Sequence, residues 1–421
     1  MTMHSATLAI NERLQAKKAA GETVLHLGFG EAGLPVPPKV VQALASSAAM
    51  NSYGPVAGSQ QAREAAAGWF TRRGLETDWT QTILAPGSKA LLFALLAAIP
   101  GDVVLPRPSW VSYAAQASLL GKEVVWVPIP ERSGGIPDPD LLEEALHAAR
   151  AEGKNPTSLV MTVPDNPTGT VAESEDIAKV CAIARRHGLA IISDEIYAAM
   201  VHDGSAPSPI SRLPERTVIT TGLSKSMALG GWRIGFARTP DNAWGRQLMA
   251  ALVGIGSEVW SGLAAPMQAA AAYVLGDEPE VLAHIEKSRL LHARVARAVY
   301  SELRAAGAAC RPPKAGFYLY PDFEPVADAL ALQGISTGSQ LSTALLERFG
   351  VGVLPGVAFG DDDKGLRARV ATSLLYGVSD EERWAALNSE DPTSLPWIAG
   401  SLAHLRGALT QLTGRVAAAV D

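Results

Sequence analysis

In "TGLSKSMALGGWRIGFA", residues 220–236, Lys225 follows a small polar turn and Arg233 comes eight positions later among glycines. A lysine amine can condense with a carbonyl and afterwards carry a proton, while a guanidinium grips oxyanions. Lysines are seldom buried, so on its own Lys225 reads as a surface side chain. Its company changes that reading. Upstream come Asp194 and Tyr197 in "IISDEIY", Asn166 in "VPDNPTG", Trp110 in "PSWVSY", and Ser88 with Lys89 in "APGSKALLFA". Each group falls just after a strand-like run.

Those runs, "VVLPRP", "EVVWVPI", "SLVMTVP", "LAIISDE", "TVITTG" and "WRIGFA", alternate with amphipathic stretches between about residues 80 and 240. The alternation predicts an α/β fold with a mostly parallel sheet flanked by helices, in which ligands gather at the carboxyl ends of strands. From Glu278 the pattern predicts one long helix, with Pro279 in its first turn and Gly307 as its stop. Strand signals in "AGFYLYPDF", "GVGVLPGVAFG" and "LRARVATS" then indicate a smaller α+β domain, joined by the short strand "TVLHL" near the start. The expected division is a large domain over 46–290 and a small one from 1–45 with 291–421. "SLAHLRGALTQLTGRVAAAV" reads as a closing helix.

With 421 residues, 48% of them hydrophobic and 19% charged, the chain has material for two cores. A net charge of -6 with dispersed Lys and Arg offers no stripe for nucleic acid or an anionic membrane. The two cysteines, Cys181 and Cys310, form neither a metal spacing nor a disulfide framework. The absence of a signal-length or membrane-spanning apolar run leads us to expect a cytoplasmic protein.

The constellation resembles the class I/II aminotransferase group of fold-type I pyridoxal-phosphate enzymes, over roughly residues 25 to 375. "GLSKSMALGGWRIG" fits that group's cofactor-lysine pattern at every constrained position. The resemblance implies pyridoxal 5'-phosphate joined to Lys225 as a Schiff base, with the same amine shuttling the substrate proton. Asp194 would keep the pyridine nitrogen protonated. Asn166 and Tyr197 would bond the ring's phenolic oxygen, and Trp110 would stack on the ring. Amides of Ser88 and Lys89 at a helix start, with Ser224 and Arg233, would hold the phosphate. Tyr53 would reach the phosphate of a partner subunit, which implies a homodimer with shared active sites. Gly30 and Arg367 would take the substrate α-carboxylate, Arg367 standing first in "R-x-x-x-A-T-S".

Other features point away from rival chemistries. Gly28, Gly30 and Gly33 have dinucleotide-fingerprint spacing, but Pro35, Pro37 and Pro38 forbid the helix that fingerprint needs, and no acid follows about twenty residues on. The glycines read as a turn that something approaches closely. "DDDK" (361–364) reads as a solvated loop, the eight histidines contain no H-x-x-x-H pair, and His187 reads as a helix C-terminal residue. No metal is expected.

Several positions depart from the family pattern. Gly222 occupies the place, three before the lysine, where the family commonly has serine. No Lys or Arg lies between Gln247 and Glu286, where dicarboxylate-specific members carry an arginine that enters the partner's site. That argues against an acidic side chain, and Glu258 with Trp260 hints at a neutral, aromatic or cationic one. Arg369, two residues from Arg367 and so on the same strand face, reads either as a second anion contact in the site or, the favoured reading, as a salt-bridged strand residue. The residues after "VATS" form an insertion that could reshape substrate access.

The expected reaction is amino transfer between an L-amino acid and a 2-oxo acid. The same cofactor also supports β- or γ-elimination, replacement or cyclisation. From other classes come an effector-binding module, which the lack of a nucleic-acid appendage disfavours, and a nicotinamide oxidoreductase, which the prolines disfavour.

Overall fold

The computed structural model describes residues 6–415. Its strands, in chain order, are β1 (Leu25–His26), β2 (Thr82–Pro86), β3 (Asp102–Arg107), β4 (Val124–Pro128), β5 (Pro156–Thr162), β6 (Ala190–Asp194), β7 (Thr217–Gly222), β8 (Ile234–Arg238), β9 (Tyr318–Leu319), β10 (Val351–Gly352), β11 (Leu354–Pro355) and β12 (Ala368–Ala371).

Seven of them build one sheet in the order β2-β8-β7-β6-β5-β3-β4. Every strand is parallel to the rest except β8, which runs against both β2 and β7. The period of two divides its side chains between faces. Val103 and Leu105 pack with Val160, Ile192 and Val218 under one helical layer, whereas Val104, Leu159, Met161 and Ile191 enter the opposite one. Burial on both faces explains why these strands read as continuous apolar runs.

The long helix runs Pro279–Ala305 and its chain direction breaks at Gly307, whose φ of 88° is a backbone state that glycine adopts without steric cost. Its inward stripe continues through Leu291, Val295, Val299 and Leu303, and there it meets Leu25, Leu27, Leu319, Val351 and Val370 in a second core. Around that core lie the antiparallel sheet β11-β12-β9 and the parallel pair β1-β10.

The insertion after "VATS" folds as a helix, Asp380–Asn388, opened by a capping box between Ser379 and Glu382. Its Ala386 and Leu387 join the second core, and Trp384 packs against it. The last helix is Pro396–Thr413, closed by Gly414 in the left-handed conformation; the expected continuation to residue 420 runs beyond the described residues after Arg415. No helix among the described residues is long and apolar enough to cross a membrane.

Candidate active site

A cavity of about 690 Å³ opens where the carboxyl ends of the large sheet face β9 and β12. It gathers Gly30, Ser88, Lys89, Trp110, Asn166, Asp194, Tyr197, Ser224, Lys225 and Arg233, which is every residue expected in this chain's own site except Arg367.

Asp194 ends β6 and is fully buried. Burial raises its pKa to about 6, opposed by the Tyr113 hydroxyl, the Ile196 amide and the positive charge of Lys225. Tyr113 donates to Asp194 Oδ2 at 2.7 Å and also lies 2.8 Å from Thr162 Oγ1. That tyrosine went unnoticed in the sequence, although Trp110 and Tyr113 are three apart at the start of the helix Val111–Leu119, a spacing that places them side by side.

Lys225 lies in a single helical turn, Leu223–Ser226, directly after β7. Its Nζ donates to the Gly30 carbonyl across the cavity and lies 5.9 Å from the Phe317 ring centroid. Tyr197 donates to the Tyr318 hydroxyl at 3.0 Å, and burial raises its pKa well above the usual phenol value.

At the other end of the floor, Gly87 adopts φ 86° and the helix Ser88–Ala98 begins with its amides toward the cavity. A Cβ on Gly87 would lie 2.4 Å from Arg233 Nη2, so the missing side chain admits the guanidinium to the helix start. Arg233 itself has φ 54°. Helix amides and a guanidinium facing one space form an anion site. Gly222 is extended there, and a Cβ would meet Ile234 O at 2.7 Å, so the close passage of β8 accounts for glycine in place of serine. Lys89, chosen for its amide, also places its Nζ 5.0 Å from the Trp110 ring centroid. Burial, then Arg233 and Lys225, lower its pKa.

Arg369 in β12 and Arg367 just before it do not lie where the sequence placed them. Arg367 is absent from the cavity wall. Its Nε donates to Asp322 at 2.7 Å and its Nη1 to both oxygens of Asp361 at 3.1 and 3.0 Å, so carboxylates of this chain already occupy its fork. Arg369, expected to be salt-bridged, is buried in the wall and has no carboxylate partner among the described residues. It donates to Asn166 Oδ1 at 3.2 Å and to Gly28 O at 2.7 Å, while its Nε has no partner. Of the two, only Arg369 meets the cavity.

Gly30 faces Tyr318, whose hydroxyl would lie 2.2 Å from a Cβ there, and Gly33 is equally close to Ser373 O. No helix opens at Gly33, because the next begins at Pro38. Tyr53 is 96% exposed and belongs to no part of this cavity. Glu258, Trp260 and the inserted helix do not line it either. The 361–364 loop is not simply solvated, since Asp361 pairs with Arg367 and Asp363 accepts from Ser339 N and Oγ.

One group of metal-type side chains does gather elsewhere, Glu143, His147 and His187. There Arg150 donates to His187 Nδ1 at 2.6 Å, which leaves the ring proton on Nε2, beside Glu143. Arg186 occupies the other Glu143 oxygen. Glu143, Arg186 and His187 form an ion-pair network in which the His187 ring lone pair is already taken.

Comparison with known proteins agrees with this geometry. The aminotransferase class I and II family matches residues 22–374. The chain belongs to that family. It is 32% identical to an aspartate aminotransferase of Geobacillus stearothermophilus over 88% of this chain and 92% of the relative. It is 31% identical to the aspartate/prephenate aminotransferase of Thermus thermophilus, over 91% and 94%. A solved Thermus thermophilus aspartate aminotransferase with maleate superposes with a TM-score of 0.79 at 30% identity, covering 91% of this chain and 95% of that one. This class I and II aminotransferase is thus an enzyme that moves amino groups between amino acids and 2-oxo acids, with the large mostly parallel sheet of its relatives.

Proposed function

We propose that this aminotransferase holds pyridoxal 5'-phosphate in the described cavity, covalently through Lys225, and binds the substrate α-carboxylate at Arg369. The observation that carries the reading is the one cavity shared by Lys225 Nζ, a buried Asp194, an arginine at a helix start and a carboxylate-free buried arginine. When bound, the cofactor supplies an aldehyde for the amino group and a ring that accepts the electron pair left as the α-hydrogen departs as a proton.

The chain's own residues do the rest. Ser88 and Lys89 amides, Ser224 and Arg233 hold the phosphate. Asp194, kept anionic with help from the Tyr113 hydroxyl, holds a proton on the ring nitrogen. Asn166 and Tyr197 hold the phenolic oxygen, and Trp110 covers the ring face. Lys225 Nζ takes the α-proton and returns it, and the Gly30 carbonyl keeps that amine in the cavity between the two sheets. Arg369 fixes the carboxylate in a two-point grip with Asn166 beside it.

An acidic amino donor is favoured. The relatives are named for aspartate, and Lys89 offers a cavity cation from this chain in place of the partner's arginine. In this reading the protein is a cytoplasmic homodimer in which Tyr53 completes the partner's phosphate site. The two cores support domains over 46–290 and over 1–45 with 291–421.

The deciding experiment is the near-ultraviolet and visible spectrum of the purified protein and of Lys225→Ala, with and without added cofactor and amino acids. A visible band that Lys225→Ala alters and that aspartate bleaches, with release of a 2-oxo acid and no ammonia, is expected. A protein that stays colourless with added cofactor refutes the reading, and ammonia release would point to elimination.

A further inference from the structure

Arg367 stands at the family's carboxylate position, yet it holds two aspartates of its own chain. What it holds in place is visible from Asp361 outward. Asp361, whose side chain is 9% exposed, accepts from Arg367 and also from the Tyr320 hydroxyl at 3.1 Å. It closes the turn Gly356–Phe359, because its amide donates to Gly356 O while Gly356 N donates back to Arg367 O. The turn carries Phe359. That ring lies 5.0 Å from the Arg369 guanidinium, and the Phe359 carbonyl accepts from Ser109 N, the residue before Trp110. Through one turn, Arg367 is therefore connected to the arginine and to the aromatic that flank the substrate.

The geometry points to Arg367, with Asp361, as a positioning pair that sets the Phe359 turn and through it the placement of Arg369 and Trp110. This rests on the reading of Arg369 as the carboxylate group. A long, flexible arginine buried beside two aromatic rings has several rotamers open to it, and a neighbouring turn fixed at two points removes them before substrate arrives. Loss of the pair is expressed mainly as weaker capture of both substrates, since each presents the same α-carboxylate.

The test is steady-state kinetics of the cofactor-loaded enzyme for both amino donor and 2-oxo acid, in Arg367→Gln, Asp361→Asn, their double variant, Arg367→Lys and Arg369→Gln. Each single change at the pair is expected to raise both KM values roughly tenfold with kcat within about twofold, less than the roughly 10²-fold that a full 1 Å misplacement can cost. The double variant should add nothing further, and Arg367→Lys should recover part of the loss. Unchanged KM in Arg367→Gln and Asp361→Asn, with or without a lower Tm, overturns the positioning role while leaving the site reading intact. Additive effects in the double variant also overturn it, because the two would not act as a unit. If instead Arg367→Gln nearly abolishes turnover while Arg369→Gln retains it, the site reading itself fails. Should Arg367→Gln not fold, Asp361→Asn and Arg367→Lys decide on the same readouts.

Discussion

The floor and the wall of the cavity are built on different principles. On the floor, Asp194 is the last residue of its strand, and Lys225 and the Ser88–Lys89 amides follow within three residues of theirs, so their places follow from where β6, β7 and β2 end. On the wall, Arg369 in β12 and Arg367 just before that strand are separated by partners that strand spacing does not name: Asp322 and Asp361 for one, Gly28 and Asn166 for the other. Strand spacing tells which face a side chain takes. It does not tell how deep along that face the cavity reaches.

That contrast can be broken most severely on the floor. Lys225→Ala should lower turnover by at least about 10⁴-fold, since it removes both the covalent partner and the proton carrier; single-turnover measurement of 2-oxo acid formation checks this. On the wall, Arg369→Gln should cost about 2–5 kcal/mol in kcat/KM, roughly 30- to 4,000-fold, because a substrate carboxylate loses its buried charged partner. Arg369→Lys should not restore it, since lysine lacks the planar two-point fork.

A smaller effect sharpens the floor itself. The Tyr113 hydroxyl lowers the pKa of Asp194, so Tyr113→Phe should raise it and move the acid limb of the kcat/KM profile to higher pH. The sign for stability is opposite to that of a salt-bridged carboxylate. Asp194 has its folded pKa at about 6, above the unfolded value, so the native cofactor-free protein binds the extra proton. This group's contribution therefore weakens as pH rises from about 4 to 6, and denaturant titrations across that window should show the decline persisting to higher pH in Tyr113→Phe. Smallest of all, Ser379→Ala should cost about 1 kcal/mol of stability through its lost cap. KM for both substrates should not change, because the inserted helix lies apart from floor and wall.

The legibility of the sequence follows the same division. Apolar runs buried on both faces announced six strands of the large sheet, and the Pro279 and Gly307 signals bounded the long helix to within two residues. The reversed direction of β8 was not legible, since an apolar run carries no arrow. Among the site residues, Asp194, Asn166, Tyr197 and Lys225 stand in short motifs at strand ends and could be named. Tyr113 was missed although its spacing from Trp110 was available. Tyr318 had no local signal, because it becomes a wall residue only when β9 closes over the sheet. The inserted helix was seen as extra chain near the carboxylate site, but its apolar side faces the second core instead.

Arg233 extends the consequence of the floor's geometry to the way this protein can be altered. A non-glycine residue at φ 54° carries backbone strain of order 1–2 kcal/mol, which Arg233→Gly would relieve. The same change deletes the guanidinium at the helix start. Ala228, three residues after Lys225, has φ 56°, and glycine there would relieve strain without removing a group that lines the cavity. Thermal selection acting on the cofactor-free chain would therefore enrich glycine at both positions, and the hardiest survivors would be the ones least able to work.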